Sequence, residues 1–122
     1  MRVAILLALA GVVGTGVVGC GSSYPVPQDQ FAAAQSDVGR AEQAGASNVP
    51  DARLHLQLAQ EDLSTAKSLM NVENEHAASL IARASAEAVL AVDLATEQKA
   101  QAQAQAAADA VTKAKSTSNP AN

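Results

Sequence analysis

The sequence predicts an all-α protein: an up-down-up three-helix antiparallel bundle, coiled-coil-like at its hairpin, with a long projecting C-terminal helix. Three observations predict it. Ala52, Leu56, Ala59, Leu63, Ala66 and Met70 recur at alternating steps of four and three, and so do Ala77, Ile81, Ala84, Ala88, Ala91 and Ala95. Such a repeat keeps one stripe facing a partner helix. Helix-ending residues punctuate the pattern at Gly45 to Pro50 and again at Asn71 to Asn74.

The first helix is expected over about 29–44, where Phe31, Ala34, Val38 and Ala41 keep helical spacing. Gly45 stops it, Asn48 is the expected N-cap of the second helix, and Pro50 and Asp51 suit a first turn. The second helix is expected over 49–70, and Leu54 and Leu58 add a second, shorter stripe to it. At the next break Asn71 or Asn74 can cap, and Glu73 and Glu75 complement the positive end of the following dipole. The third helix is expected over 74–115. Folding the chain back at residue 73 sets Met70 near Ala77, Ala66 near Ile81, Leu63 near Ala84 and Leu56 near Ala91. Large then meets small, as close-packed helices require. Folding the first helix back places Phe31 near Leu63 and Ala41 near Leu54, so that it covers part of the second stripe. Beyond residue 97 nothing remains to cover the third helix, and Gln98 to Lys115 has Val111 as its only large aliphatic. Ala, Gln and Lys favour a helix there without burial.

Composition narrows the function classes. Hydrophobic residues make up 48% of the 122, but beyond residue 19 they are mostly Ala, with Tyr24 and Phe31 the only aromatics. Ala buries little area, so the core is thin and leaves little room for a pocket. The net charge of −4 and the absence of Lys/Arg runs argue against nucleic acid as a partner. No nucleophile elbow, phosphate loop or metalloprotease pattern occurs, so no residue is assigned to catalysis and no cofactor is expected.

The amino terminus is more specific. Met1-Arg2 precedes the uncharged run Val3 to Val18, too short and too rich in Gly for a comfortable membrane span, and it reads as the apolar region of a signal peptide over 1–19. The run ends in Val17-Val18-Gly19-Cys20, which resembles the lipobox of bacterial lipoproteins. That resemblance implies cleavage between Gly19 and Cys20, lipidation of the Cys20 thiol, and a membrane as partner through that lipid. Val17 departs from the Leu usual three positions before the Cys. Gly21, where inner-membrane retention commonly has Asp, resembles the outer-membrane-sorted class facing the periplasm. Cys20 is the only Cys, so it has no disulfide partner in the chain. Residues 20–28, with Pro25 and Pro27, read as a lipidated flexible tether, 29–115 as an Ala-rich helical domain, and 116–122 as a disordered tail.

Taken together, the lipobox, the Ala-spaced helices, the Pro-started segment Val49-Pro50-Asp51-Ala52, and Leu63-x-x-Ala66 with Ala77-x-x-Leu80-x-x-x-Ala84 resemble the bacterial envelope proteins grouped as domain-of-unknown-function family 4398, over roughly residues 28–100. This resemblance implies an envelope location and a helical fold, and brings no catalytic residue with it.

Two further clusters have simple readings. His55 is expected to pair with Asp51 one turn away; in the cluster Asn71, Glu73, Asn74, Glu75 and His76, Glu73 and His76 share one face at i,i+3 as a cation site would need, but helix capping explains these residues without a metal. The expected role is therefore a structural or interaction module that docks an envelope protein or another copy of itself through its helix faces. Its rival is a carrier of an apolar ligand between the helices.

Overall fold

A computed structural model describes residues 23–118, and within them the chain is an all-α bundle. Helix α1 spans Gln28–Ala44, a short 3-10 turn spans Ala46–Asn48, α2 spans Pro50–Leu69 and α3 spans Asn74–Ser118. The signal-peptide and cleavage assignments, Gly19 and Cys20, lie outside the described residues. So do 119–122 of the expected tail.

Each boundary follows from local chemistry. Gly45 ends α1 at φ 87°, a left-handed conformation that costs a residue without Cβ nothing, and its N–H bonds back to the Glu42 carbonyl at 3.0 Å. Asn48, the expected cap of α2, lies one residue too early. The residue before a proline is driven to extended backbone, so Val49 takes the cap position at φ −109°, ψ 118° and makes no side-chain cap bond. Asp51 remains in the first turn to complement the dipole. At the second break Asn71 adopts φ 73°, and the Asn74 Oδ1 accepts the Asn71 N–H at 2.7 Å, which holds the turn and starts α3.

Helix α3 runs three residues further than expected. The hydroxyls of Ser116 and Thr117 donate to the Lys113 carbonyl at 2.8 and 2.9 Å, and Ser118 donates to that of Lys115 at 3.1 Å. Such bonds from Ser and Thr hydroxyls to carbonyls three and four residues earlier are the local side-chain-to-backbone pattern these residues make in a helix. With 45 residues, α3 is about 67 Å long. From Thr96 to Ser118 every residue is exposed, so its second half projects beyond the bundle.

The α2/α3 seam buries Ala52, Leu56, Ala59, Leu63 and Ala66 against Ala77, Ile81, Ala84, Ala88, Ala91 and Ala95. Two polar contacts across it report the register. Arg83 makes a bidentate ion pair with Asp62, one position from the expected register, and His55 reaches Glu87 one turn away. Among the described residues, twelve of the seventeen buried apolar ones are Ala, so the few larger side chains carry most of the apolar burial.

The placement of α1 corrects an expectation. It packs chiefly on α3, with Ala34, Val38 and Ala41 buried, and meets α2 more lightly, for example where the Gln60 amide donates to Glu42 at 3.0 Å. Leu54 and Leu58 are not covered and are 55% and 38% exposed. The reason is angular. Both lie two residues from Leu56, which is about 200° around a helix, so they point away from the seam while α1 sits at its side. The partner stripe for α1 is instead on α3, where Ala78, Ile81 and Ser85 face it.

Candidate functional site

The described chain begins at Ser23, three residues after Cys20, the expected lipid acceptor, which lies outside it. Ser23 to Pro27 has no regular secondary structure, as expected of a tether, but it is fastened at the foot of the bundle. The Asn74 amide donates to the Tyr24 carbonyl at 2.8 Å, and Pro27 is buried. Asn74 thus joins the incoming chain to the α2/α3 turn with one side chain, donating to Tyr24 and accepting from Asn71. Beside it lies an open cleft of about 710 Å³ lined by Ser23, Tyr24, Asn71, Val72, Glu73 and His76 among others. Val72, at the tip of the turn, is 78% exposed.

His76 and Glu73 approach at 3.4 Å on this turn, both exposed. His55 does not pair with Asp51. Its Nδ1 lies 2.6 Å from Glu87 Oε2 on α3, because packing on α3 brings a carboxylate to the α2 flank that sequence-local spacing does not contain. Among the described residues no three His, Cys, Asp or Glu side chains gather to hold a metal ion. No helix among them is long and apolar enough to cross a membrane.

A second surface was not foreseen. Between α1 and α3 runs an open groove of about 600 Å³, lined by Tyr24, Ala33, Ala78, Ile81, Ala82 and Ser85 with others. Its signal in the sequence is a second stripe on α3, Ala78, Ala82, Ser85, Val89 and Val92, again at steps of four and three. The stripe was masked by the stronger one beside it.

One polar contact closes the side of this groove. Ser85 Oγ donates to Asp37 Oδ2, and Arg40 pairs with the same carboxylate. The Ser85 hydrogen bond holds the Asp37 carboxyl below the ordinary value of 3.8, against the opposing effect of burial and with help from Arg40. A depressed carboxylate contributes stability above its unfolded pKa and loses it as pH falls through the folded one. Melting midpoints should therefore drop as pH is lowered below about 4, and Ser85→Ala should flatten part of that drop. An identical pH profile in the variant would show that this contact does not hold α1 on α3.

Comparison with known proteins adds no assignment: no family model, curated protein or solved structure matches the chain.

Proposed function

We propose that this chain is a bacterial envelope lipoprotein, anchored through lipid on Cys20 and most consistent with the outer membrane facing the periplasm, that acts as a structural or protein-interaction module without enzymatic chemistry. The observation that carries the interaction half is the exposed second half of α3. A helix of 23 exposed residues beyond the bundle serves no core, yet it presents about 35 Å of surface to a partner. The lipobox carries the anchoring half, and the resemblance to domain-of-unknown-function family 4398 is compatible with both.

Deleting residues 99–122 tests the reading. In dilute solution the truncated protein should keep the melting midpoint of the full chain, since its buried residues all precede residue 96. A partner recovered by pull-down from detergent-solubilised envelopes with the full chain should be lost. A collapsed melting transition would show that the segment belongs to the core, and an unchanged set of partners would remove the arm from the interaction.

The α1/α3 groove gives the carrier of an apolar ligand its own supporting observation. Its walls mix three Ala with the polar Gln30, Glu75, Ser79 and Ser85 and it opens to solvent, so it offers a ligand less enclosure than a typical binding pocket. Titration with a fluorescent fatty acid separates the two readings: saturable binding that is lost in Ala78→Glu would favour a carrier.

A further inference from the structure

The end of the bundle where the chain enters gathers features that neither the core nor the arm explains. Tyr24 meets Asn74 and, further along, Asp37 meets Ser85, so α1 and α3 lie side by side and run in the same direction away from this end. The α2/α3 turn closes it. Because the chain enters at Ser23 in this foot, the tip of α3 is at the far end, about 67 Å along the helix.

Asn74 fastens that entry. Its Nδ2 donates to the Tyr24 carbonyl at 2.8 Å while its Oδ1 accepts the Asn71 N–H at 2.7 Å, so one side chain ties the incoming chain to the turn. Just behind it Pro27 is buried, and the Gln28 N–H bonds to the Val26 carbonyl at 2.9 Å. Val72 stands at the tip of the same turn and, at 78%, is the most exposed large apolar side chain among the described residues. A single exposed valine is ordinary on a protein surface. What marks this one is its place, on the end where Cys20, the expected lipid acceptor, precedes Ser23 by three residues. Tyr24, 42% exposed, lines the cleft beside the turn, and a tyrosine suits the boundary between lipid and water. Asp29, Glu73 and Glu75 are exposed at this end as well. They keep contact with a bilayer shallow, since a carboxylate is costly inside one.

We propose that this foot is a membrane-facing surface: the Asn74 clamp holds the α2/α3 turn against the bilayer that receives the Cys20 lipid, with Val72 in the headgroup layer and α3 standing away from it. The occupant is a lipid surface. An anchor joined to the chain three residues before Ser23 keeps lipid at the turn at high effective concentration. One small aliphatic among carboxylates, by contrast, offers too little apolar area for a stable protein interface. The exposed part of α3, from Thr96 to Ser118, is then presented roughly 33 to 66 Å from the foot, which sets the height at which a partner must meet it.

The inference rests on the anchored-lipoprotein reading and says which way the anchored bundle faces. It is tested on the lipidated protein in phosphatidylcholine vesicles, by electron paramagnetic resonance of single nitroxides placed at Val72→Cys, Leu54→Cys and Val111→Cys. A lipidated Cys20 has no free thiol, so only the new cysteine takes the label. Residue 72 should be relaxed by lipid-soluble oxygen, and residues 54 and 111 by a water-soluble nickel chelate. Asn74→Asp keeps the acceptor for the Asn71 N–H but cannot donate to Tyr24. Combined with Glu73→Gln, which holds the charge of the foot constant, it should lower the oxygen-to-nickel ratio at residue 72 about fivefold. A Gly/Ser insertion between Ser22 and Ser23 leaves every described contact of the bundle in place and should lower that ratio too. Nitroxide on the unsubstituted protein would show a free Cys20 and sink the anchoring reading together with this one. With Cys20 blocked, a residue 72 as wet as 111, a lipid-exposed 54 or 111, or a ratio that either variant leaves unchanged would overturn the membrane-facing foot alone.

Discussion

Ile81→Ala should destabilise the bundle by about 2–5 kcal/mol, the range for removing a buried large aliphatic. Ile81 is the largest fully buried side chain among the described residues, at 2% exposed, and it also lines the groove against α1. In a core built mostly of Ala, deleting its methyls leaves a space that stiff neighbouring backbones cannot collapse to fill. Domains of this size are stable by only roughly 5–15 kcal/mol, so the loss is a large share of the whole. Thermal and urea melts followed by circular dichroism measure it, with Leu54→Ala as the companion. Leu54 is 55% exposed, and its substitution should stay within about 0.5 kcal/mol in dilute solution. Equal shifts in the two variants would mean that the seam does not run where the structure places it.

Replacing Cys20 by Ala should abolish fatty-acid labelling and move the protein from the membrane fraction to a soluble one, or leave an uncut precursor. The chain has one thiol, so no other residue can take its place as lipid acceptor. Each methylene placed in a bilayer contributes about 0.8 kcal/mol, and two or three acyl chains together hold a protein far more firmly than one. None of the described helices offers an apolar span as a substitute anchor. Metabolic labelling with a tagged fatty acid, followed by fractionation, reads both effects. Equal label in wild type and variant would rule out lipidation of Cys20 and, with it, the anchored half of the proposed function.

The helices were legible because their signals are local. A stripe at steps of four and three, a Gly after it and a Pro before the next declare a helix wherever they fall, and α1, α2 and α3 begin within one residue of where these signals put them. The α2/α3 seam was legible for a similar reason: a short turn leaves two long stripes little choice of partner. Leu63 and Ile81 could be named as core residues, and both are buried. The polar contacts were read less well. Asp51 lies one turn from His55 and was the natural partner by sequence distance, but the carboxylate that reaches His55 belongs to Glu87, thirty-two residues away. Asp62, buried at 7% exposed and held by Arg83, carries no sequence mark that separates it from a surface acid.

By itself, then, the sequence determined the number of helices, their ends to within a few residues, the facing of α2 on α3, and an arm beyond residue 97 with nothing to cover it. Each depends on backbone propensity or on one amphipathic stripe, properties that a helix has before it meets another. The tertiary structure decided where α1 goes. Phe31, Ala34, Val38 and Ala41 would fit either neighbour, and the choice falls to α3 because Ala78, Ile81 and Ser85 lie at the side of the seam, where a third helix can approach. Leu54 and Leu58 point about 200° away from Leu56 and cannot share that approach. This one choice leaves the outer flank of the hairpin uncovered and creates the groove beside Tyr24. Both follow from the angle at which three cylinders meet, a quantity that no stretch of sequence contains alone.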